Sequence, residues 1–304
     1  MSIKNKFITF IHDLQDEICK ALEEIDGKAT FQEDLWERPG GGGGRTRVIA
    51  DGNVFEKGGV NISVVDGDLP PVMAEQFGVE NTQFMACGIS LVIHPMNPFV
   101  PTVHANFRYF ELYDQNGELK DSWFGGGADL TPYYLEEKDG SHFHQAFKDA
   151  CDPFGSELYP MYKKKCDEYF VNKHRNNEAR GIGGIFYDYI RPDSGKNAEE
   201  LLAFSQANGK AFLKAYLPLV EKNKNVSYDE SHRNWQAYRR GRYVEFNLIH
   251  DRGTLFGLKT GGRIESIFMS LPPIARWEYD FHPVAGSPES QLLEWLKPRD
   301  WINI

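Results

Sequence analysis

Three polar side chains that alternate along one short segment could do chemistry together: His104, Asn106 and Arg108. Successive residues of a β-strand point to opposite faces, so these three would share one face while the apolar residues between them fill the other. An imidazole, an amide and a guanidinium on one sheet face suit an anionic ligand that exchanges protons. The solvated face of an edge strand shows the same alternation, so the pattern alone leaves both interpretations open.

A glycine run leads to a carboxylate shortly afterwards. Gly125, Gly126 and Gly127 precede Asp129, which is the only acid of residues 123–132. Because glycine has no Cβ, the backbone of this run is open to close approach. The acid adds a fourth polar group to the predicted pocket.

Arginine next to glycine recurs at two further places. Arg180 precedes a glycine-rich strand, and Gly261 and Gly262 precede Arg263. Glycine lets backbone N–H groups approach a ligand and arginine adds a planar bidentate donor, although a turn beside a surface arginine has the same sequence. Four arginines of an acidic chain together point to a polycarboxylate ligand. They are Arg45, Arg108, Arg180 and Arg263.

Five consecutive glycines at residues 40–44 precede Arg45 and Arg47. A dinucleotide-binding fold is not indicated, because no good strand precedes these glycines and no apolar helix follows them. A flexible lid that closes the two arginines over carboxylates fits the pattern, and so does an ordinary solvent loop.

Composition narrows the functional classes. The 304 residues carry a formal net charge of −10, which argues against broad binding of nucleic acid or anionic membranes. The four cysteines form no CxxC pair, as expected of reduced thiols in a cytosolic protein. No apolar run reaches the roughly 18 residues of a membrane span. Asp13, Asp16 and Glu17 are untypical of a signal peptide, so we expect a cytoplasmic protein.

The elements that must position these residues indicate an α+β fold. Apolar residues at helical spacing predict a helix over residues 3–25 that ends at Gly27, and residues 142–176 and 197–223 are also mostly helical. A last helix starts at Ser287. Strand-like runs with turn residues between them predict a mainly antiparallel sheet. They are residues 45–50, 52–55, 60–65, 88–93, 103–113, 133–135, 182–189, 244–249 and 264–269.

Eight long motifs make the chain similar to a known family. They are Gly58-Gly-Val-Asn61, Ser90-Leu-Val-Ile-His94-Pro95, Pro101-Thr-Val-His-Ala-Asn-Phe-Arg-Tyr-Phe110, Trp123-Phe-Gly-Gly-Gly-Ala-Asp-Leu-Thr-Pro132, Tyr162-Lys-Lys-Lys-Cys-Asp-Glu-Tyr-Phe170, Arg180-Gly-Ile-Gly-Gly184, Tyr243-Val-Glu-Phe-Asn-Leu248 and Gly261-Gly-Arg263. Over essentially its whole length the chain resembles the oxygen-dependent coproporphyrinogen III oxidases. We therefore expect one domain over residues 1–304.

The resemblance implies an activity and an architecture. Two propionates of coproporphyrinogen III would be oxidatively decarboxylated to vinyls, giving protoporphyrinogen IX, CO₂ and hydrogen peroxide in haem biosynthesis. Dioxygen would accept the electrons, and no cofactor would be required. The resemblance also implies one large antiparallel sheet of seven strands flanked by helices on both faces. It implies a homodimer with its contacts in residues 243–278, where a predicted strand at 244–249 would suit a buried interface.

The resemblance also assigns roles to single residues. His104 takes the position of the proposed proton donor, and Asp129 takes that of the acid that binds the pyrrole N–H groups. Such hydrogen bonds would keep Asp129 ionised; the alternative is that it only caps the turn into residues 130–132. The substrate-contact positions are Ser90, Asn106, Phe107, Arg108, Gly261, Gly262 and Arg263.

The resemblance also bears on metal binding. Bacterial-type members would use four histidines as metal contacts, here His94, His104, His144 and His174. The sequence lacks the HExxH, CxxC or facial-triad context of a specific site, so we expect no bound metal. Two alternatives stay open: a histidine-bound metal oxygenase, which would need its metal, and a non-catalytic tetrapyrrole carrier, which would consume no oxygen.

Overall fold

The computed structural model describes residues 1–69, 74–75, 78–79, 82–193, 195–259 and 261–303. Its strands are β1 (Gln32–Glu37), β2 (Gly42–Ala50), β3 (Phe55–Asp68), β4 (Gln83–Pro95), β5 (Thr102–Tyr113), β6 (Leu119–Thr131), β7 (Val171–Asn172), β8 (Glu178–Ala179) and β9 (Gly183–Ile190). Seven of them form one antiparallel sheet in the spatial order β1-β2-β3-β4-β5-β6-β9, and β7 pairs with β8. The predicted seven-stranded antiparallel sheet is confirmed.

Eight helices surround this sheet in the described part of the chain. They are α1 (Ile3–Asp26), α2 (Glu137–Cys151), α3 (Leu158–Tyr169), α4 (Ala198–Asn223), α5 (Glu230–Ile249), α6 (Arg252–Lys259), α7 (Ile264–Phe268) and α8 (Pro288–Trp295). The α+β fold class is confirmed. None of the helices in the described ranges has both the length and the apolarity for a membrane crossing.

The boundaries of α1 are determined by residues next to them in the sequence. Ser2 caps α1 by accepting a hydrogen bond from Asn5 N at 3.3 Å, and Gly27 ends it with a left-handed φ of 70°. The ring of Phe7 on its apolar face lies 5.9 Å from those of Tyr109 and Phe124 on the sheet. Helix and boundary agree with the prediction for residues 3–25.

The two faces of β5 have different surroundings. Ala105, Phe107 and Tyr109 are buried in the hydrophobic core, together with apolar residues of α1 and α4. His104, Asn106 and Arg108 point away from that core, as strand alternation requires. We use the name site face for this second face of the sheet.

Part of the site face is covered by the segment around α7. Ser266 Oγ lies 3.0 Å from Thr46 Oγ1, and His94 Nε2 lies 2.8 Å from the carbonyl oxygen of Ser270. A Cβ on Gly59 would lie 2.5 Å from Met269 Sδ, so this glycine lets the segment approach the strand closely. Helical segments thus flank both faces of the sheet.

Four predicted strands are wrong. Of residues 52–55 only Phe55 is in a strand, as the first residue of β3, because residues 51–54 form the turn between β2 and β3. Residues 244–249 belong to α5 and residues 264–269 to α7 and its end, while residues 133–135 form a bend after Pro132, which cannot donate to a sheet. Helix α5 is buried on all sides over nine consecutive residues, four of them arginine or glycine, so it has no apolar stripe. The buried-interface argument from strand alternation in 244–249 therefore does not hold.

The predicted lid at residues 40–44 is also wrong. Gly42, Gly43 and Gly44 are part of β2 and pair with β1 and β3. Arg45 and Arg47 point to the helical side of the sheet, where both bind Asp16 of α1 at 2.8 and 2.7 Å. Arg45 therefore does not belong to a polycarboxylate site, because strand alternation turns it away from the site face.

One buried carboxylate joins α1 to the sheet. Asp26 is 3% exposed and accepts hydrogen bonds from the backbone N–H groups of Ala29, Asn53, Val54 and Phe55 at 2.9–3.1 Å. Burial alone would raise the pKa of Asp26, but these donors outweigh it and lower the pKa below its ordinary value. The stabilisation is present above the ordinary pKa of about 4 and is lost as the pH falls through the folded-state value.

We expect Asp26→Ala to lower the free energy of unfolding by roughly 2–4 kcal/mol, because it leaves several buried N–H donors unpaired. Urea unfolding at pH 7 measures the loss, and the difference from wild type should shrink as the pH is lowered below about 4. Asp13→Ala, at an exposed position of the same helix, is the control and should stay within about 0.5 kcal/mol. An equal effect of both variants would contradict the proposed role of Asp26.

Candidate active site

The sheet register brings the predicted polar residues together. In antiparallel pairs, directly opposite residues share a face. Asn106 lies opposite Ser90 on β4 and Gly127 on β6, and His104 lies opposite Asp129. These residues of three adjacent strands thus form one polar patch on the site face.

Asp129 is the buried centre of this patch. Its carboxylate accepts hydrogen bonds from Arg180 Nη2 at 2.8 and 2.6 Å, and His104 Nδ1 lies 2.7 Å from Oδ1. Asp129 and Arg180 are 1% and 2% exposed, whereas the His104 side chain is 20% exposed. Asp129 and Arg180 therefore both lie in the interior, and His104 connects them to the surface.

The surrounding charges and hydrogen bonds determine the protonation state of Asp129. Burial alone would raise the pKa of Asp129, but the charge of Arg180 and the hydrogen bond of His104 outweigh it, so the pKa lies below its ordinary value. An ionised carboxylate only accepts hydrogen bonds, so His104 Nδ1 carries a hydrogen. No described residue hydrogen-bonds to His104 Nε2, which leaves this nitrogen for a ligand. The arrangement suits proton exchange by a positioned imidazole.

Arg180 is enclosed by aromatic rings. Its guanidinium carbon lies 4.2, 4.7 and 4.8 Å from the ring centres of Phe170, Tyr243 and Phe246, and Nη1 donates to Asn247 Oδ1 at 3.1 Å. Arg180 therefore has no exposed surface with which to bind an anionic ligand as the sequence predicted. It orders Asp129 instead.

Arg108 is one of the predicted arginines that remain open to a ligand. Its side chain is 36% exposed; Nη1 donates to Asn106 Oδ1 at 2.8 Å and Nη2 lies 3.0 Å from Asp188 Oδ1. Gly125, directly opposite on β6, lies beneath this guanidinium. Arg108 can therefore offer donors to a carboxylate at the surface of the site face.

Two charged residues beside Arg108, Asp188 and Arg252, were missed by the sequence analysis. Arg252 Nη2 lies 3.8 Å from Asp188 Oδ2, and the guanidinium stacks over the ring of Tyr169 at 4.8 Å. Asp251 accepts a hydrogen bond from Tyr169 Oη at 2.9 Å. The strand that contains Asp188 could be recognised in the sequence. Nothing in the local sequence indicated that residue 252 lies next to this strand.

The glycine-rich segment at 261–263 lies at the other edge of the sheet. Arg263 forms an ion pair with Asp34 of β1 and donates to Ser266 Oγ at 3.1 Å. In the register Asp34 is four strands from Asn106, which is roughly 19 Å at about 4.8 Å per strand. Gly261 has a left-handed φ of 68°, so the turn requires glycine there. Arg108 and Arg263 thus face one side of the sheet from opposite ends.

Two other predicted features need correction. The side chain of Phe107 is 1% exposed and lies in the core on the opposite face, so only its backbone is near the site. The carboxylate of Asp129 does not cap the turn into residues 130–132, because the donors that it uses are Arg180 and His104. Strand alternation places Phe107 in the core, and the ion pair with Arg180 holds the carboxylate of Asp129.

The four candidate metal ligands do not fit a shared metal centre within this chain. His94 donates from Nε2 to the Ser270 carbonyl and accepts at Nδ1 from Thr102, and His144 uses Ile182 and Tyr159 in the same way. Burial lowers the pKa of His94 well below its usual range and that of His144 to about 3, so both rings are neutral with both nitrogens occupied.

His174 lies in a different group of residues. Its ring nitrogens are 2.7 Å from His250 Nε2 and 2.8 Å from Glu245 Oε2. Within the described ranges, no set of three or more His, Cys, Asp and Glu side chains is arranged to hold a metal ion. Metal independence stays a prediction.

The comparison with known families agrees with the geometry. The family model of coproporphyrinogen III oxidase matches residues 6–301, which is nearly the whole chain. The match includes the buried Arg180 and Asp129, the partly exposed His104 and both edges of the site face. The chain belongs to the coproporphyrinogen III oxidase family and is an oxidoreductase of haem biosynthesis.

Proposed function

We propose that the enzyme uses dioxygen to convert two propionates of coproporphyrinogen III to vinyls. Each round takes CO₂, two electrons and two protons from one propionic acid group, and dioxygen accepts the electrons and protons to give hydrogen peroxide. Two rounds give protoporphyrinogen IX. Family membership supports the decarboxylation. The partly exposed His104, which contacts the buried Asp129 and Arg180 pair, carries the assignment of the site.

The charges on the site face support a substrate with several carboxylates. Arg108 and Arg252 lie at one end and Arg263 at the other. Coproporphyrinogen III carries four propionates around a large flexible ring, and each hydrogen bond between charged groups contributes roughly 1.5–3 kcal/mol. Arginines spread over a wide face can orient such a ring although the chain is acidic overall.

His104 exchanges a proton with the substrate through Nε2 in this proposal. When Nε2 accepts a proton, the Asp129 carboxylate stabilises the imidazolium, and Arg180 keeps Asp129 ionised. Asp129 is too buried to meet the pyrrole N–H groups itself in this structure, so we assign it the role of a positioning residue for His104. The protein orients and shields a reactive ring, and the electrons pass between the substrate and dioxygen.

The proposed homodimer draws on apolar residues of the predicted contact stretch 243–278, in which Thr260 lies outside the described residues. Several large hydrophobic side chains are exposed in this stretch, and exposed apolar residues that lie close together are typical of a protein interface. They are Leu248, Ile249, Phe256, Leu258, Ile264, Ile274 and Trp277. Many lie on α5, α6 and α7, so the interface would be helical rather than a strand pair. The cytoplasmic location also stays a prediction.

The first test compares aerobic and anaerobic turnover of coproporphyrinogen III after dialysis against a chelator. We expect protoporphyrinogen IX and hydrogen peroxide only with dioxygen, at a rate that dialysis leaves unchanged. Loss of activity on dialysis with recovery on adding one divalent ion would favour the metal oxygenase. Binding of the ring without oxygen consumption would favour the carrier.

Asp129→Asn should lower kcat by roughly 100-fold, with a smaller change in KM, because the neutral amide no longer stabilises the His104 imidazolium. His104→Gln should lower kcat to a similar extent. Since the two residues act as a unit, the double variant should be little slower than the slower single variant. A multiplicative loss in proteins that keep the wild-type circular dichroism would show that they act independently.

Sedimentation velocity should give a dimer, about twice the chain mass of 34.7 kDa. Ile249→Glu places a charge at an exposed apolar position of the contact stretch and should shift the protein to monomer. Leu35→Glu, at an exposed apolar position on β1 outside the contact stretch, is the matched control and should remain dimeric. A monomeric wild-type protein at working concentration would contradict the homodimer.

A further inference from the structure

Asp188 lies on the site face between two arginines. Its Oδ1 is 3.0 Å from Arg108 Nη2, and its Oδ2 is 3.8 Å from Arg252 Nη2. The Asp188 side chain is 18% exposed, whereas the two arginines are 36% and 60% exposed. The three groups form a partly open cluster of two positive charges and one negative charge.

A β-bulge places Asp188 in this cluster. Asp188 and Tyr189 of β9 together lie opposite the single residue Gly125 of β6. Their neighbours Tyr187 and Ile190 both pack on the hydrophobic core, so the two residues between them lie away from it. Tyr189 has a φ of 54°, which is unfavourable for a bulky residue and is maintained only where the surroundings enforce it. Bulges of this kind re-aim side chains and are frequent next to active sites.

Gly125 leaves the space that the ion pair needs. A Cβ at this position would lie 2.7 Å from Arg108 Nε and 2.8 Å from Asp188 Oδ1. Arg108 is also held by Asn106 Oδ1 at 2.8 Å, so its guanidinium stays in place if Asp188 withdraws. The bulge and the glycine, on two different strands, thus serve the same contact between Arg108 and Asp188.

We propose that Asp188 is a resident carboxylate that competes with a propionate of the substrate for Arg108 and Arg252, and so sets how tightly this end of the site holds a ligand. The inference rests on the proposed function, since it takes the ligand to be a propionate of the tetrapyrrole. Two guanidinium groups and one carboxylate leave one net positive charge, which matches one propionate. A partly exposed ion pair is weak enough for a ligand carboxylate to replace one partner.

This competition has a consequence for turnover. Decarboxylation converts a charged propionate into a neutral vinyl, which can no longer bind a guanidinium. Asp188 then pairs again with Arg108 and Arg252. The ring position that now carries a vinyl can leave this end of the site, and another propionate does not bind there immediately. Without the Asp188 charge, the remaining propionates of intermediate and product would be held more tightly, and release would be slower.

Asp188→Asn removes the charge and keeps the shape. We expect KM for coproporphyrinogen III to fall, and Kd for coproporphyrin III, a stable tetracarboxylate, to fall roughly three- to tenfold. Slower release should lower kcat, and the monovinyl tricarboxylate should accumulate. Asp188→Glu should return these values toward wild type, because it restores the charge. Arg108→Ala should raise KM and Kd.

Asp121→Asn is the matched control, because Asp121 forms a comparably exposed ion pair with Arg191, and Arg191 contacts Tyr189 of the bulge rather than the three charged groups of the cluster. Its KM and Kd should equal those of wild type. Asp188→Ser is a second neutral variant and should change Kd in the same direction as Asp188→Asn. An unchanged or raised Kd in folded neutral variants of Asp188 would overturn the inference. Wild-type protein that binds coproporphyrin III but does not decarboxylate coproporphyrinogen III would instead overturn the proposed function.

Discussion

The buried ion pair of Asp129 and Arg180 is the interaction on which the rest of the site depends. Transfer of a lone carboxylate from water into the protein interior costs several kcal/mol, and removal of its partner would leave that charge uncompensated. Arg180 in turn contacts Tyr243 and Phe246 of α5 and Phe170 after α3. The need to keep this ion pair together therefore positions β6 relative to α3 and α5. Through Asp129 it also determines which ring nitrogen His104 presents to the site.

The period of the β-strand separates stability from chemistry. Along β5, every second side chain enters the core between the sheet and its helices, and the residues between them form the site face. The glycines of β6 continue this division, because a Cβ on Gly126 would meet Phe107 and Tyr187, whereas one on Gly125 would meet Arg108 and Asp188. The same run thus permits close packing on one face and a contact between charges on the other.

Residues with local signals could be predicted from the sequence. The alternation around His104 and the Gly27 stop of α1 depend on neighbouring residues only, and both agree with the structure. The Arg180–Asp129 pair joins residues 51 apart, and the bulge at Asp188 appears only when two strands pair, so no local pattern indicated either. Helix α5 was mistaken for a strand in part because buried arginines interrupt its apolar periodicity.

An arginine in the sequence therefore does not by itself indicate a ligand site, since each of the four predicted arginines already has a carboxylate partner. Arg45 pairs with Asp16, Arg108 with Asp188, Arg180 with Asp129 and Arg263 with Asp34. Exposure distinguishes these pairs physically. Separating the two charges of a fully buried pair leaves both without solvation, so Arg180 stays with Asp129. Water and ions screen the partly exposed pairs, so a ligand carboxylate can take the place of the resident one at little cost. Of the four predicted arginines, Arg108 and Arg263 are the two on the site face at which this exchange can occur.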